Sequence, residues 1–393
     1  MSGVADRIAT RAVHAGHEPA SHQGAAVPPL YASATFVAPD TATLEGLNDG
    51  SVRGYVYSRI RNPTVLAAEQ RLASLEGAES AVLFSSGMAA VAGALAPLLA
   101  AGDELVATPD LYGGTLRYFT EVLPRQGVSV RLAASGAAED VASCLSPATT
   151  VIYTETPTNP LLRIVDLAAM AGLARKHGAR LVVDGTLGGP LNQTPLAQGA
   201  DLVVHSASKY LNGHGDIIAG AVVGSRELTR RLRTLQQASG AILDPHPAWL
   251  LLRGMATYPL RMAQHNRGGE AVAAFLASHP KVLRVHYPGL ASHPDHALAC
   301  RQMTGFGGLM SFELADGVAA RTVVDCTRLF GIGASLGGVE SLISQPGNTS
   351  HHSVPTERRL AMGIAPGLVR ISVGIEDPQD LIADLDQALA AIP

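Results

Sequence analysis

Cysteine is nearly missing from this chain: Cys144, Cys300 and Cys326 are the whole complement in 393 residues. They are odd in number, widely spaced and never in a CxxC pair. That excludes a disulfide framework and leads us to expect a reducing, cytoplasmic setting. Charge is sparse as well. Charged residues make up 16% of the chain, 29 Lys and Arg against 33 Asp and Glu, for a net charge of −4. No block of like charge occurs, so neither a nucleic-acid footprint nor an anionic-membrane one is expected. The longest apolar run, around "VAGALAPLLAAG", is short and interrupted by Pro97, too little to span a bilayer. The opening "MSGVADRIATRAVHAGHEP" carries acidic and basic residues and no apolar core, so it does not read as a secretion signal.

Several catalytic signatures are missing too. There is no GxxxxGK[ST] phosphate loop. "GIGASLGG" sets its third glycine, Gly337, one place late for the dinucleotide pattern. No HExxH occurs, and His351 and His352 are adjacent rather than four apart, so no metal centre is expected. What the chain has in quantity is apolar residues, 47% of the total. A chain this apolar and weakly charged should bury much surface, subunit interfaces included. Its length suggests about two domains.

From about Glu69 to Arg226, short β-branched runs alternate with Gly-rich turns and Ala/Leu-rich segments. "SAVLFSSGMAA" reads as strand, turn and helix start. "DELVATPDLYGG", "TTVIYTETPTNP", "ARLVVDGT" and "ADLVVHSASK" read as strands running into loops. "DLAAMAGLARKHG" reads as a helix, with Asp166 as N-cap and Gly178 just past its end. Continuous apolar strands alternating with helices predict an α/β fold, a mostly parallel central sheet with helices on both faces. After about Asp244 the pattern changes. "HPAWLLLRGMATYPLRMAQHNRGGEAVAAFLASH" is helical, with interruptions expected at Pro259 and at Gly268-Gly269. Strands at "VLRVHYP", "GGLMSFEL" and "LVRISVGI", and a last helix near Pro378 to Ile392, make a smaller α+β domain. The first stretch lacks periodicity and reads as an arm laid on another surface. The expected division is an arm over residues 1–60, a large domain over 61–245 and a C-terminal domain over 246–393.

Polar residues gather at the carboxyl ends of the expected strands, the edge of a parallel sheet where ligands bind. Gly87 and Met88 follow one strand, Tyr112 another, Asn159 a third, Asp184 a fourth, and Ser206, Ser208 and Lys209 a fifth. A lysine beside a buried strand end is desolvated, which lowers its pKa and makes its amine a nucleophile. Schiff-base chemistry on pyridoxal 5'-phosphate needs such an amine, and a carboxylate against the pyridine nitrogen. Asp184 lies 25 residues before Lys209, one strand–helix–strand step. "SSGMAA", a turn opening a helix, offers backbone N–H groups to a phosphate. Each piece alone has a plainer reading: a solvated turn, a helix cap, a packed aromatic. Arg370, inside "LVRISV", is costly to bury unless it faces a carboxylate, either of a substrate or of an internal ion pair.

Taken together and in order, "YVYSRIRNPT", "LFSSGMAA", "DLYGGT", "ETPTNP", "VVDGT", "VVHSASKYLNGHGD", "SLGGVESL" and "LVRISVGIED" resemble one family over nearly the whole chain. It is the pyridoxal-phosphate enzymes of cysteine and methionine metabolism: cystathionine γ-synthase, cystathionine γ-lyase, methionine γ-lyase and the homoserine sulfhydrylases. The resemblance implies a fold-type I pyridoxal-phosphate transferase-like architecture, pyridoxal 5'-phosphate as cofactor, and a homotetramer of dimers with shared active sites. It implies that Lys209 holds the cofactor as a Schiff base and moves protons. Asp184 would pair with the pyridine nitrogen, and Tyr112 would stack on the ring and serve as acid or base. Gly87, Met88, Ser206 and Ser208 would bind the phosphate, with Tyr57 and Arg59 reaching that of the neighbouring subunit. Arg370 would clamp the substrate carboxylate, with Asn159 and Ser335 near it, and Glu340 would line the distal end of the pocket.

Three positions depart from the family's usual text. Gly185 stands where Asn is usual after the aspartate, Ser208 where Thr often precedes the lysine, and Gly114 where the methionine γ-lyases carry Cys. The wider text, including "GAILDPHPAWLLLRG" and "KYLNGHGDIIAG", is most similar to the methionine γ-lyases. The expected activity is therefore γ-elimination of a thiol from methionine or a related sulfur amino acid. The alternatives are γ-replacement on an O-acylhomoserine and cystathionine γ-lysis. A non-catalytic descendant would not need Lys209, Asp184 and Arg370 together.

Overall fold

The computed structural model describes residues 7–349, 352 and 356–393. Among them are two sheets. The larger has seven strands: β1 (Ser80–Phe84), β2 (Glu104–Ala107), β3 (Ser129–Leu132), β4 (Thr149–Glu155), β5 (Arg180–Asp184), β6 (Leu202–His205) and β7 (Gly220–Gly224). Their spatial order is β1-β7-β6-β5-β4-β2-β3. Strands β2 to β6 are parallel, whereas β7 runs antiparallel to both β6 and β1. All strands but β7 therefore end on one edge.

Side chains alternate across this sheet, as the period of two requires. Leu83, Ile152, Leu181, Val183 and Val203 join one core with helices Pro63–Glu76 and Leu167–His177. Val82, Phe84, Tyr153, Val182 and Val204 join the opposite core with helices Gly87–Leu95 and Arg226–Ser239. Both faces are covered, which explains the unbroken apolar strand text. Helix Leu167–His177 has the ends its sequence predicts. Asp166 accepts the Ala169 N–H at 2.9 Å, and Gly178 closes it with φ 68°.

Beyond it, helix Pro245–Ala256 stops at Thr257, just ahead of Pro259, and helix Tyr258–Ser278 follows. The break expected at Gly268-Gly269 is absent: that helix runs straight through both glycines. Their role is close approach. A Cβ at residue 269 would stand 2.2 Å from the Gly307 carbonyl oxygen.

The second sheet is β8 (Arg284–His286), β9 (Leu309–Glu313), β10 (Gly331–Ile332), β11 (Leu342–Ser344) and β12 (Leu368–Ser372), ordered β10-β11-β12-β9-β8. Met310, Phe312, Val369 and Ile371 face its own core, beneath helices Gly317–Cys326 and Pro378–Ala390. Alternation turns Arg370 to the opposite face, in register with Ser311 and Ser344. This polar row meets the ends of the larger sheet, where Ser311 Oγ donates to the Pro160 carbonyl at 2.8 Å.

Part of the N-terminal stretch folds onto its own chain. Helix Ile8–His14 buries Ala12 completely, and Arg71 donates to the carbonyls of Val13 and Ala15. Farther on, Val27 and Val37 stand exposed at 64% and 96%. Among the described residues no helix is long and apolar enough to cross a membrane.

Candidate cofactor and substrate site

A cavity of about 440 Å³ opens at the carboxyl edge of the larger sheet, roofed by the polar face of the smaller one. One end is built for an anion. Helix Gly87–Leu95 starts there, with Ser86 Oγ accepting the Ala89 N–H at 3.1 Å. The N–H groups of Gly87 and Met88 have no acceptor within the helix. A Cβ at residue 87 would come within 3.0 Å of Ser206, so the glycine leaves a cradle that a side chain would fill. Ser86 itself is admitted by Gly220, where a Cβ would sit 2.0 Å from its carbonyl oxygen. Ser206 and Ser208 also line the cavity, although the Ser208 hydroxyl is engaged with both backbone groups of Ala219.

In the middle stand Asp184 and Lys209. Asp184 ends β5, is 9% exposed, and accepts the Thr186 N–H at 3.0 Å. Burial raises its pKa, against the pull of the Thr186 bonds and of nearby His205. The Lys209 ammonium nitrogen reaches Ser335 Oγ at 2.8 Å. Burial lowers its pKa first, and the Arg370 charge lowers it further. Tyr112 is half-exposed above the cavity, and its ring covers residue 114, where a Cβ would fall 2.6 Å from it.

At the far end is Arg370. It is 3% exposed and donates to Asn159 Oδ1 and to the Ser335 carbonyl, each at 3.2 Å. Among the described residues it forms no ion pair. Burial pushes its pKa down to about 10.

The structure thus brings Gly87, Met88, Tyr112, Asn159, Asp184, Ser206, Ser208, Lys209, Ser335 and Arg370 to one cavity. Three expected residues lie elsewhere in this chain. Arg59 donates to the Gln237 carbonyl at 2.7 Å and its guanidinium stacks 5.7 Å from the Tyr57 ring, outside the cavity. Glu340 is exposed and does not line it. The sequence reading missed Glu155, which lines the cavity and accepts the Tyr112 N–H at 2.7 Å. It closes "TTVIYTE" as Asp184 closes "RLVVD", so the same signal, a carboxylate ending an apolar strand, was there to find.

An anion cradle, a buried strand-end carboxylate and a desolvated amine in one cavity fit pyridoxal 5'-phosphate, end for end. The family described as "Cys/Met metabolism PLP-dependent enzyme" matches residues 9–390. The chain is 46% identical to an L-methionine γ-lyase of Pseudomonas putida, over 98% of this chain and 97% of that one. It is 44% identical to a cystathionine γ-lyase of Bacillus subtilis, over 98% and 99%. A crystal structure of cystathionine γ-lyase from Lactobacillus plantarum, complexed with L-serine, superposes with a TM-score of 0.93 at 39% identity, covering 98% and 99%. The fold is fold-type I, and the chain belongs to the pyridoxal-phosphate-dependent enzymes of cysteine and methionine metabolism. Within them it is a carbon–sulfur lyase.

Proposed function

We propose that this lyase eliminates the γ-thiol of methionine with relaxed specificity, releasing 2-oxobutanoate, ammonia and the thiol, and also cleaves cystathionine or homocysteine. The observation that carries the reading is Arg370. A buried guanidinium without a carboxylate partner among the described residues faces a cavity in which Ser335 links it to Lys209. An α-carboxylate held by Arg370 sets the α-carbon near the Lys209 amine. When bound, pyridoxal phosphate supplies the electron sink for charge left at that carbon. Lys209, with its lowered pKa, takes the α-proton as a neutral base, and a second proton then leaves the β-carbon so that the γ-carbon–sulfur bond can break. Tyr112 donates a proton to the departing sulfur. Asp184 would face the ring nitrogen, and Gly87, Met88, Ser206 and Ser208 would hold the phosphate.

The wall also presents apolar side chains, Met88, Val91, Leu187, Ile217, Ile218 and Leu336, which suit a thioether. Glu340, which would favour a cationic distal group, stands outside that wall. Product analysis tests the reading: 2-oxobutanoate release should be measurable from methionine and from cystathionine, compared as kcat/KM. No release from methionine, with rapid replacement of an acylhomoserine by cysteine, makes the enzyme a γ-synthase instead.

Tyr57 and Arg59 then act on the partner's phosphate, in a homotetramer of dimers with shared sites. Their exposure and that of Val27, Leu30, Val37 and Ile60 support an arm reaching a neighbour. Mixed oligomers of Arg59→Ala and Lys209→Ala should regain active sites; no recovery after demonstrated subunit exchange argues for unshared sites. The separate core beneath the smaller sheet supports a C-terminal domain, while Ala12, Ala248, Leu251, Leu252, Met255 and Tyr258 pack into the core of the larger sheet across the proposed boundaries at residues 60 and 245. Three free cysteines suit a cytoplasmic setting.

A further inference from the structure

Asp184 has a neighbour without a role. Glu155 ends β4 as Asp184 ends β5, and the two stand opposite one another in the parallel register. They continue the sheet face of Tyr153 and Val182, on strands about 4.8 Å apart. Glu155 is 5% exposed, and both carboxyls line the cavity. Among the described residues neither forms an ion pair with Lys, Arg or His.

The charges nearby do not cancel theirs. Asp110, on the loop after β2, adds a third carboxyl to the side of Glu155. Arg163 offsets Asp110 only in part, because its guanidinium is bonded to Asp295 at 2.6 Å. His205, on β6, acts on Asp184 but lies 2.6 Å from Glu76. Lys209 and Arg370 are turned to Ser335 and Asn159. Two buried carboxyls one strand apart do not both ionise. The cofactor's ring nitrogen brings one positive charge to the pair, which matches one anion and leaves none for a second.

We propose that Glu155 is a neutral carboxylic acid in the holoenzyme, a positioning residue that leaves the single negative charge to Asp184 and fixes Tyr112 and Asn159 through their backbone N–H groups. Its Oε2 takes the Tyr112 N–H, and the Asn159 N–H is also directed to it. Those two residues flank the cofactor ring and Arg370, so one carboxyl sets both ends of the site. Burial, and then the Asp184 charge, push Glu155 well above the usual carboxylate range; the two N–H donors pull the other way and are outweighed. The inference rests on the assignment of Asp184 to the ring nitrogen.

The test is the infrared difference spectrum of wild-type holoenzyme against Glu155→Gln at neutral pH. The wild type should show the carbonyl stretch of a neutral carboxylic acid, missing in Glu155→Gln and kept in Asp110→Asn. Gln preserves shape and neutrality, so cofactor affinity should stay within about threefold. Glu155→Ala should raise KM for the amino acid as Tyr112 and Asn159 lose their acceptor, with Glu155→Gln restoring it. The inference is overturned by a band that survives in Glu155→Gln, by no such band in the wild type, or by a loss of cofactor affinity in Glu155→Gln beyond about tenfold, the mark of a lost charge. Failure of the underlying assignment looks different: Asp184→Asn would then keep full turnover and cofactor affinity.

Discussion

Arg261 and Arg370 are equally buried arginines, 5% and 3% exposed, and burial pushes both pKa values down to about 10. Their surroundings differ. Arg261, in helix Tyr258–Ser278, donates to the carbonyls of Tyr210 and Gly254 at 2.8 Å and Leu211 at 3.2 Å, and to Thr257 Oγ1 at 3.3 Å. Its fork is full. Arg370 has two long bonds and a cavity in front of it. A buried cation with its donors used is a structural clamp. One with donors to spare awaits an anion from outside. The same contrast separates Asp384, which accepts the N–H groups of Arg328, Leu329 and Phe330, from Asp184, whose backbone donor among the described residues is Thr186 alone.

Substitutions sharpen this contrast. The largest effect belongs to Lys209→Ala. It should cut turnover by more than the ~10²–10⁴ of a positioned acid–base group, while thermal unfolding stays near wild type. Turnover near the wild-type rate would remove Lys209 from the chemistry. Arg370→Met should cost about 2–5 kcal/mol in kcat/KM for the amino acid, with little change in urea midpoint. Arg261→Met should do the reverse, losing about 2–4 kcal/mol of folding stability with KM retained. If the two profiles coincide, the contrast between clamp and receptor fails.

A smaller effect comes from His265, in the same filled seam as Arg261. Its ring stands edge-on to Tyr210, and Nδ1 is 2.9 Å from the Val373 carbonyl. Burial lowers its pKa to about 4. The unfolded chain therefore takes up a proton that the folded one refuses once pH falls below about 6.5. Stability should drop by about 2 kcal/mol between pH 7 and pH 5, and His265→Gln should flatten that slope. The subtlest test lies between sites. Because the Arg370 charge lowers the Lys209 pKa, Arg370→Met should move the pH midpoint for cofactor uptake by the apoenzyme upward. A midpoint that stays put or falls would show that the two cations do not sense each other.

Much of this was legible in the sequence, for reasons that can be named. Strands buried on both faces write themselves as unbroken apolar runs, so β1, β2, β4, β5 and β6 were readable, and with them the edge that gathers Asp184 and Lys209. Asp166 and Gly178 marked their helix because cap chemistry is local. Strand β7 was not singled out: "GAVVG" is short and small, and its reversed direction depends on pairing with β6 and β1. The Gly268-Gly269 pair misled because its reason, the Gly307 carbonyl, is distant in sequence. Glu155 was overlooked inside a motif valued for its prolines and Asn159. That Arg370 lacks a carboxylate partner among the described residues is a fact about the space around β12, which no local pattern records.

The floor of the cavity comes from residues 86–218 and its roof from residues 334–370. A ribosome therefore delivers the seat for the cofactor long before the grip for the amino acid. Every cofactor contact proposed within the chain has been synthesised while β12 is still untranslated. Newly made protein can meet its cofactor early, yet it has no hold on a substrate carboxylate until β12 has been made.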